Sequence, residues 1–345
     1  MTILRMRVAV SIGSWRELEE KTVHPEVDAV AEYVRAENGF LITSHVNPDI
    51  DSIASQLAIA SALSSLGKES VIVNEDPIPR WLEFLPGSEG LRCDLPAEAG
   101  IRVALVLDAS DLDRLGWVGD VVRERALPIV NIDHHADNVS FGRLNLVQPH
   151  VSSTAEMLVG LISALGLEIG RERATCLYAG ILGDTGSFRH PNTTSRVFRV
   201  VADLVDEGAD PERVATGIYY SRSVGAVRLL GEMLRTFRES DDGRIGVLEL
   251  TRGSFDSSGA TMDESNGYAT WALSTRGTEV GVLLRELENG RIRVSFRSTP
   301  EVDVGAIARS LGGGGHSTAA GCVLDGSLDE VRGLVLSRIR ELEFV

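Results

Sequence analysis

The sequence predicts an α/β protein: a doubly wound parallel-sheet domain, a linker helix, and a smaller α/β domain with a mixed sheet. Up to about residue 220, continuous apolar runs alternate with helical segments, the pattern of a parallel sheet covered on both faces. Past Arg238 the polar, glycine-containing stretch ESDDGRIG ends that pattern, and short strands follow one another. A length of 345 residues suits two domains better than one. The boundaries read from these changes are 1–222 for the first domain, 223–242 for the linker helix and 243–345 for the second domain.

In chain order, Phe40–Thr43 is a short apolar strand, and Ser52–Leu66 carries Ile53, Leu57, Ala60 and Leu63 at helical spacing. SVIVN (70–74), VALVL (103–107) and LPIVNI (127–132) read as further strands. STAEMLVGLISAL (153–165) is helical, with Ser152 or Ser153 as N-cap and Glu156 as capping-box partner. Arg173–Leu182, Ser195–Glu207 and Val224–Arg238 are helical too, the last serving as the linker. In the second domain GVLEL (246–250), VGVLLREL (280–287) and IRVSFRS (292–298) are strands in meander order, and Asn289-Gly290 marks a hairpin turn. A glycine-rich loop and the helix Ser327–Leu342 close the chain.

Composition narrows the function. With 34 Lys+Arg against 50 Asp+Glu, the formal charge is −16. That argues against a long nucleic-acid footprint, which needs a basic groove, but leaves room for a short nucleotide at one site. Cys93, Cys176 and Cys322 are far apart, odd in number and form no CxxC pair, so neither a zinc ribbon nor a disulfide framework is predicted. A reducing cytoplasm is the expected location. The opening MTILRMRVAVSIGSW has no cleavage-site pattern and reads as no signal peptide, and no segment approaches the roughly 20 apolar residues of a membrane span.

Four stretches share one layout, in which acidic or histidine residues follow directly where an apolar element stops. They are His45-x-x-x-Asp49-x-Asp51, Asp108 after VALVL, Asp133-His134-His135 after PIVNI, and Asp184 after CLYAGILG. The first, second and fourth alone read as a turn or a helix cap, whereas in Asp133-His134-His135 a carboxylate and two imidazoles abut a buried strand, which costs desolvation unless something organises them. Together they read as a site, because buried charge is rarely left unpaired and the carboxyl ends of parallel strands converge on one crevice. Imidazole with a majority of carboxylate and no thiolate suits Mn²⁺ or Mg²⁺, and Co²⁺ or Zn²⁺ less selectively. So many carboxylates exceed the need of one cation. Two divalent cations about 3.5–4 Å apart, serving attack on a phosphoryl centre, are the usual solution. In GGGGHSTAAG (312–321) the glycines let the backbone approach a ligand, their N–H groups can form an anion nest, and His316 and Ser317 present donors. Arg297, on a strand, can grip a phosphate bidentately.

SHVNPDIDS, LVLDASDLDRLG, NIDHHADN and GILGDTGSFRH resemble, in order, the four motifs of the DHH phosphoesterases, named for the triplet that stands here as Asp133-His134-His135. VSFRS followed by VGAIARSLGGGGHSTAAG resembles the DHH-associated domain, so the likeness spans about residues 30 to 342. Within the superfamily the pairing is similar to the bifunctional oligoribonuclease and 3′-phosphoadenosine-5′-phosphate phosphatase group. The resemblance implies that His45 and Asp49 bind one metal, Asp51, His134 and Asp184 the other, and Asp108 both. It implies that His135 faces the substrate phosphate while Asp133 orients the imidazoles, and that Arg297, Gly313, Gly314, Gly315, His316 and Ser317 bind substrate. Arg114 is either structural or phosphate-facing. The implied substrates are short oligoribonucleotides and 3′-phosphoadenosine-5′-phosphate, and a homodimer is common for this family.

One departure bears on the substrate. Asn47 and Ser52 in NPDIDS also resemble the first motif of family II inorganic pyrophosphatases, which lack GGGGH. The alternatives are therefore such a pyrophosphatase, a cyclic or linear dinucleotide phosphodiesterase, or a non-enzymatic nucleotide sensor.

Overall fold

Phe40–Thr43 (β1) is buried along its whole length and stands inside a parallel sheet of order β3-β2-β1-β4-β5-β6. The other strands are Ser70–Val73 (β2), Leu91–Arg92 (β3), Val103–Leu107 (β4), Ile129–Asp133 (β5) and Leu144–Val147 (β6). Leu41 pairs with Val71 on one side and Ala104 on the other. From β1 the chain first builds β2 and β3 outward, then returns past β1 to build β4, β5 and β6. The strand order therefore reverses between β1 and β4, and the crevice beyond the carboxyl ends at such a reversal is where open α/β sheets place ligands.

The computed structural model describes residues 25–96 and 100–343, so the N-terminal run considered above for a signal peptide lies outside the described residues. Contacts divide the chain into two units, Met1–Tyr220 and Ser221–Val345. Among the described residues, no helix is long and apolar enough to cross a membrane.

The helices of the first unit are Pro25–Ala36 (α1), Ile50–Ser65 (α2), Trp117–Glu124 (α3), Thr154–Ala164 (α4), Gly170–Asp184 (α5), Ser195–Asp206 (α6) and Pro211–Tyr219 (α7). α2 begins two residues before the expected start, because Asp49 caps it by accepting from Ser52 N–H. It is buried over most of its circumference, against the sheet on one side and α4 and α5 on the other. That close packing explains glycines in α5: a Cβ at Gly180 would lie 2.6 Å from Asp51 Oδ1 and 2.6 Å from Ala155 Cβ. Ser153 is the N-cap of α4, accepting from Glu156 N–H. The expected capping box is not closed in the usual way: the Glu156 carboxylate takes Ser152 N–H at 2.9 Å and Ser152 Oγ–H at 2.6 Å, one residue upstream, and also pairs with Arg196.

In the second unit, the stretch read as one helix divides. Val224–Arg235 (α8) is helical, Arg238–Glu239 (β7) is a strand, and the turn at Ser240–Gly243 folds β7 onto Ile245–Leu250 (β8). α8 buries Leu229 and Met233 with Leu248, Leu250, Phe255 and Tyr268. The remaining elements are Arg252–Ser258 (α9), Val280–Glu286 (β9), Ile292–Ser298 (β10), Val304–Ser310 (α10), Gly314–Gly315 (β11), Ala319–Leu324 (β12) and Leu328–Glu343 (α11). The sheet runs β11-β12-β10-β9-β8-β7. A meander is expected throughout, but β8 and β9 are parallel. Residues 251–279 form the crossover, with α9 and the turns Asp263–Ser265 and Tyr268–Leu273 covering one sheet face. α10 and α11 cover the other.

The glycine run also departs from expectation. Gly314 and Gly315 pair with Gly321 and Ala320 as an edge strand. The N–H groups of Gly312, Gly313 and His316 bond the carbonyls of Arg309, Ala308 and Ala319, so these three do not form an open anion nest. Tight packing on β12 accounts for glycine here: a Cβ at Gly315, whose φ is +132°, would lie 2.6 Å from Ala320 Cα.

Candidate metal centre

The loop after β1 carries His45 and Asp49, and the first turn of α2 carries Asp51. Asp108 follows β4 directly, Asp133 ends β5 with His134 and His135 next, and Asp184 ends α5. These elements bring the side chains into three overlapping groups: His45, Asp49 and Asp108; Asp108, His134 and His135; and Asp51, His134 and Asp184. Within each group the potential ligand atoms lie within 4.8 Å of one another. Asp108 belongs to two groups and its two oxygens face different ways. Oδ2 is 3.6 Å from His45 Nε2, while Oδ1 is 3.5 Å from His134 Nε2 and 3.7 Å from His135 Nδ1. His134 Nε2 lies 2.9 Å from Asp184 Oδ2. The backbone of Asp108 is left-handed, φ +57°, a conformation that aspartate adopts more readily than most residues and that here turns the chain sharply off β4.

The groups are mostly buried: Asp51 is fully so, Asp108 2% exposed, and His134 and His135 under 10%. Desolvation of so many carboxylates sets the electrostatics. Burial raises the Asp51 carboxyl well above its ordinary range, and the charges of Asp108 and Asp184 raise it further. Burial likewise lifts Asp184 to about 6. For the imidazoles, burial opposes charge, but hydrogen bonds donated to Asp108 and Asp184 override it and push His134 up to about 12. His45 is pushed to about 9 against the same desolvation by its bond to Asp108 and by Asp49. A field that holds protons on imidazoles this firmly is one that calls for positive charge. Divalent cations bound through the same nitrogen and oxygen atoms meet that demand, and the donor set of imidazole and carboxylate fits hard to borderline ions. The cysteines take no part in these groups.

A second layer holds the first in place. Asp133 accepts from His135 Nδ1 at 2.7 Å, from His134 N–H at 2.9 Å and from Asn138 Nδ2 at 2.5 Å. Asp51 accepts from Thr154 N–H at 2.7 Å and Ala155 N–H at 3.0 Å, at the start of α4. Thr154 Oγ1 donates to Asp108 at 3.2 Å, so one residue touches two carboxylates of the cluster. Asn74 and Gln56 exchange two buried bonds of 2.9 Å, and Asn74 also receives Ser44 N–H, which fixes the exit from β1. Sequence reasoning missed Thr154, Asn138 and Asn74. The only local signal was that Thr154 follows a predicted N-cap, a feature shared by most helices. The Arg114 carbonyl accepts Val46 N–H at 2.7 Å and its guanidinium reaches Ser110 at 3.4 Å.

Arg297, Gly313, Gly314, Gly315, His316 and Ser317 all belong to the second unit. Arg297 is on β10 beside Ala319 of β12, and its guanidinium donates to the Phe296 carbonyl at 2.8 Å. Burial lowers its pKa from the ordinary arginine value.

The parallel sheet, with carboxylates and imidazoles gathered at its order reversal, defines a metal-dependent hydrolase of the α/β class. The chain belongs to the DHH family. The DHH family N-terminal domain matches residues 39–181 and the DHHA1 domain residues 242–341. The bifunctional oligoribonuclease and PAP phosphatase NrnA of Thermus thermophilus is 38% identical over 314 residues, covering 90% of this chain and 93% of that protein. The Bacillus subtilis protein of the same name is 27% identical, covering 81% of this chain and 88% of its own. Among solved structures, an exopolyphosphatase-related protein from Bacteroides fragilis superposes with a TM-score of 0.87 at 25% identity, covering 93% of this chain and 97% of that one.

Proposed function

We propose that this protein is a two-metal phosphoesterase that hydrolyses short oligoribonucleotides to mononucleotides and 3′-phosphoadenosine-5′-phosphate to AMP. The observation that carries the reading is Asp108, whose two oxygens face separate groups of nitrogen and oxygen ligands. The 38% identity to a protein named for both activities, over nearly the full length of each chain, supports the choice of substrates. His45 and Asp49 would hold one cation, Asp51, His134 and Asp184 the other, and Asp108 would serve both. Mn²⁺ suits this mixture best, with Mg²⁺ and Co²⁺ as substitutes. When bound, the pair supplies Lewis acidity, stabilising the negative charge that grows on the phosphoryl oxygens.

The protein's own groups do the rest. Asp133 fixes the His135 ring so that the imidazole serves the substrate phosphate, in the manner of a carboxylate that orients a functional histidine. Thr154 and the first N–H groups of α4 hold Asp108 and Asp51 against their mutual repulsion. In the second unit, Arg297, Gly313, Gly314, Gly315, His316 and Ser317 bind the nucleotide.

The test is one assay panel: purified protein with Mn²⁺ against a dinucleotide, a five-mer RNA, 3′-phosphoadenosine-5′-phosphate and pyrophosphate. Turnover of the dinucleotide and of 3′-phosphoadenosine-5′-phosphate is expected. Pyrophosphate as the best substrate would replace this reading with an inorganic pyrophosphatase.

A further inference from the structure

Arg285 lies on β9, 4% exposed, and among the described residues it joins no ion pair. Its guanidinium donates to Ser265 Oγ at 2.7 Å and to Ser295 Oγ at 2.9 Å. Its Nε meets no hydrogen-bond partner among the described residues. A buried cation normally has a carboxylate beside it, because desolvation of an unpaired charge is expensive. Here the nearest charges are of the same sign. Arg293 stands directly opposite Arg285 across the β9–β10 ladder, and like charges in that position destabilise a sheet. Strand alternation puts Arg293, Ser295 and Arg297 on one face of β10. On neighbouring β12 the residues opposite Ser295 and Arg297 are Gly321 and Ala319, which have little or no side chain to cover them. In a chain of net charge −16, one sheet face thus gathers three arginines. Burial and the charges of Arg293 and Arg297 bring the Arg285 pKa down to about 10.

We propose that Arg285 is a positioning residue which, through Ser295 and beside Arg293 and Arg297, builds an anion site selective for a nucleotide bearing a phosphomonoester. This rests on the reading of the chain as a nucleotide phosphoesterase. Two physical consequences follow from the geometry. Ser295 Oγ accepts from Arg285, which engages one lone pair and directs the hydroxyl proton away from the guanidinium, along the face that carries Arg293 and Arg297. The Arg285 charge, not paired with any carboxylate among the described residues, adds to the field over that face. A phosphodiester carries one negative charge, whereas a phosphomonoester carries about 1.5 to 2 near neutral pH, so the added Arg285 charge favours the monoester. Arg285 itself is too enclosed to be the contact residue.

A tie that merely joined β9 to the turn Asp263–Ser265 would affect all substrates alike, and this separates the two roles. Steady-state kinetics of the full chain with Mn²⁺ should compare a 5′-phosphorylated dinucleotide with the same dinucleotide lacking that phosphate. In Arg285→Met the KM for the phosphorylated substrate should rise about tenfold more than for the unphosphorylated one, the scale of a lost charge-assisted bond, with kcat changing less than KM. Arg285→Lys, which keeps the charge but not the fork, should fall between Met and wild type. Ser295→Ala should reproduce the selective rise and carries the test if Arg285→Met does not fold. Equal changes in KM for both substrates, or none, would overturn the proposal. If the wild type hydrolyses neither dinucleotide, the functional reading fails while the anion site is still decided by calorimetry. AMP should then bind wild type about tenfold more tightly than Ser295→Ala, with adenosine showing no such difference, and equal AMP affinities would overturn it.

Discussion

The first unit gathers carboxylates and imidazoles where parallel strands end, whereas the second lays arginines across one face of a mixed sheet. Asp51 in the first and Arg285 in the second are buried further than isolated charges tolerate, and they are opposite in sign. Asp51 is pushed toward its neutral form by burial and by neighbouring carboxylates; Arg285 is pushed the same way by burial and by neighbouring arginines. The difference teaches that net charge says little about ligands in a chain that sorts its charges locally. An excess of buried anions asks for cations, and a buried arginine with no ion pair among the described residues is in keeping with an anionic ligand nearby.

The strongest way to break this comparison is Asp108→Ala. Removing the carboxylate common to two ligand groups should lower turnover by at least about 10²- to 10³-fold, the scale for loss of one electrostatic stabiliser, and should release metal. Metal analysis and circular dichroism would show an intact fold with depleted manganese. A variant that kept its metals and its rate would end the assignment of Asp108.

Metal removal comes next. EDTA should abolish turnover, and Mn²⁺ or Co²⁺ should restore it. Ca²⁺ should not, because it prefers more oxygen ligands at longer distances. Mn²⁺ should also raise the Tm of the EDTA-treated chain, since a ligand that binds only the folded state stabilises by about 2.7 kcal/mol at 100 times its Kd. Full activity in chelator, or an unmoved Tm, would contradict a cation-seeking first unit.

Arg297→Ala sharpens the contrast from the other side. A lost charge-assisted bond to phosphate should raise the KM for a dinucleotide by about 10- to 100-fold, with metal content unaltered. Loss of metal in this variant would mean that the two units do not divide the work as stated.

Two glycines give the smallest effects, with opposite signs. Gly180→Ala drives a methyl group against Asp51 Oδ1 and Ala155 Cβ, and overpacking of this kind destabilises by about 1–3 kcal/mol. Tm should fall and manganese should be held less tightly, because the displaced residue is one of the proposed ligands. Gly231→Ala, inside α8 with open space around it, should instead stabilise by about 0.5–1 kcal/mol through helix propensity. Metal affinity should not change. Thermal melts with metal titrations on both variants separate crowding at the centre from a general response to lost glycine.

Much of the candidate centre was legible before folding. His45, Asp49, Asp51, Asp108, Asp133, His134, His135 and Asp184 each sit where an apolar element stops, and that is a pattern within a few residues of chain. The helix Thr154–Ala164 was legible through apolar spacing and a Ser cap, and the helix Ser195–Asp206 was legible as a segment, its Thr194 cap appearing only in the structure. Long-range partners were not. Nothing near Glu156 says that its carboxylate also pairs with Arg196, because Arg196 lies forty residues downstream and meets it only when α6 is in place. Thr154 resembled an ordinary first helical residue until the fold brought Asp51 and Asp108 to it.

What the sequence determined by itself, then, was the alternation of strands and helices, the expectation of a doubly wound parallel sheet, and the identity of the acidic and histidine groups at the element ends. These follow from periodicity and from the desolvation of charge, both of which act locally. Only the tertiary structure decided that β8 and β9 run parallel, that the glycine run forms an edge strand, and that Arg285 is enclosed beside two other arginines. Local periodicity reports which residues face a core, but it does not report which strand lies alongside or on which side a crossover passes. Those choices are made by packing between segments far apart in the chain, and they set which charges end up as neighbours.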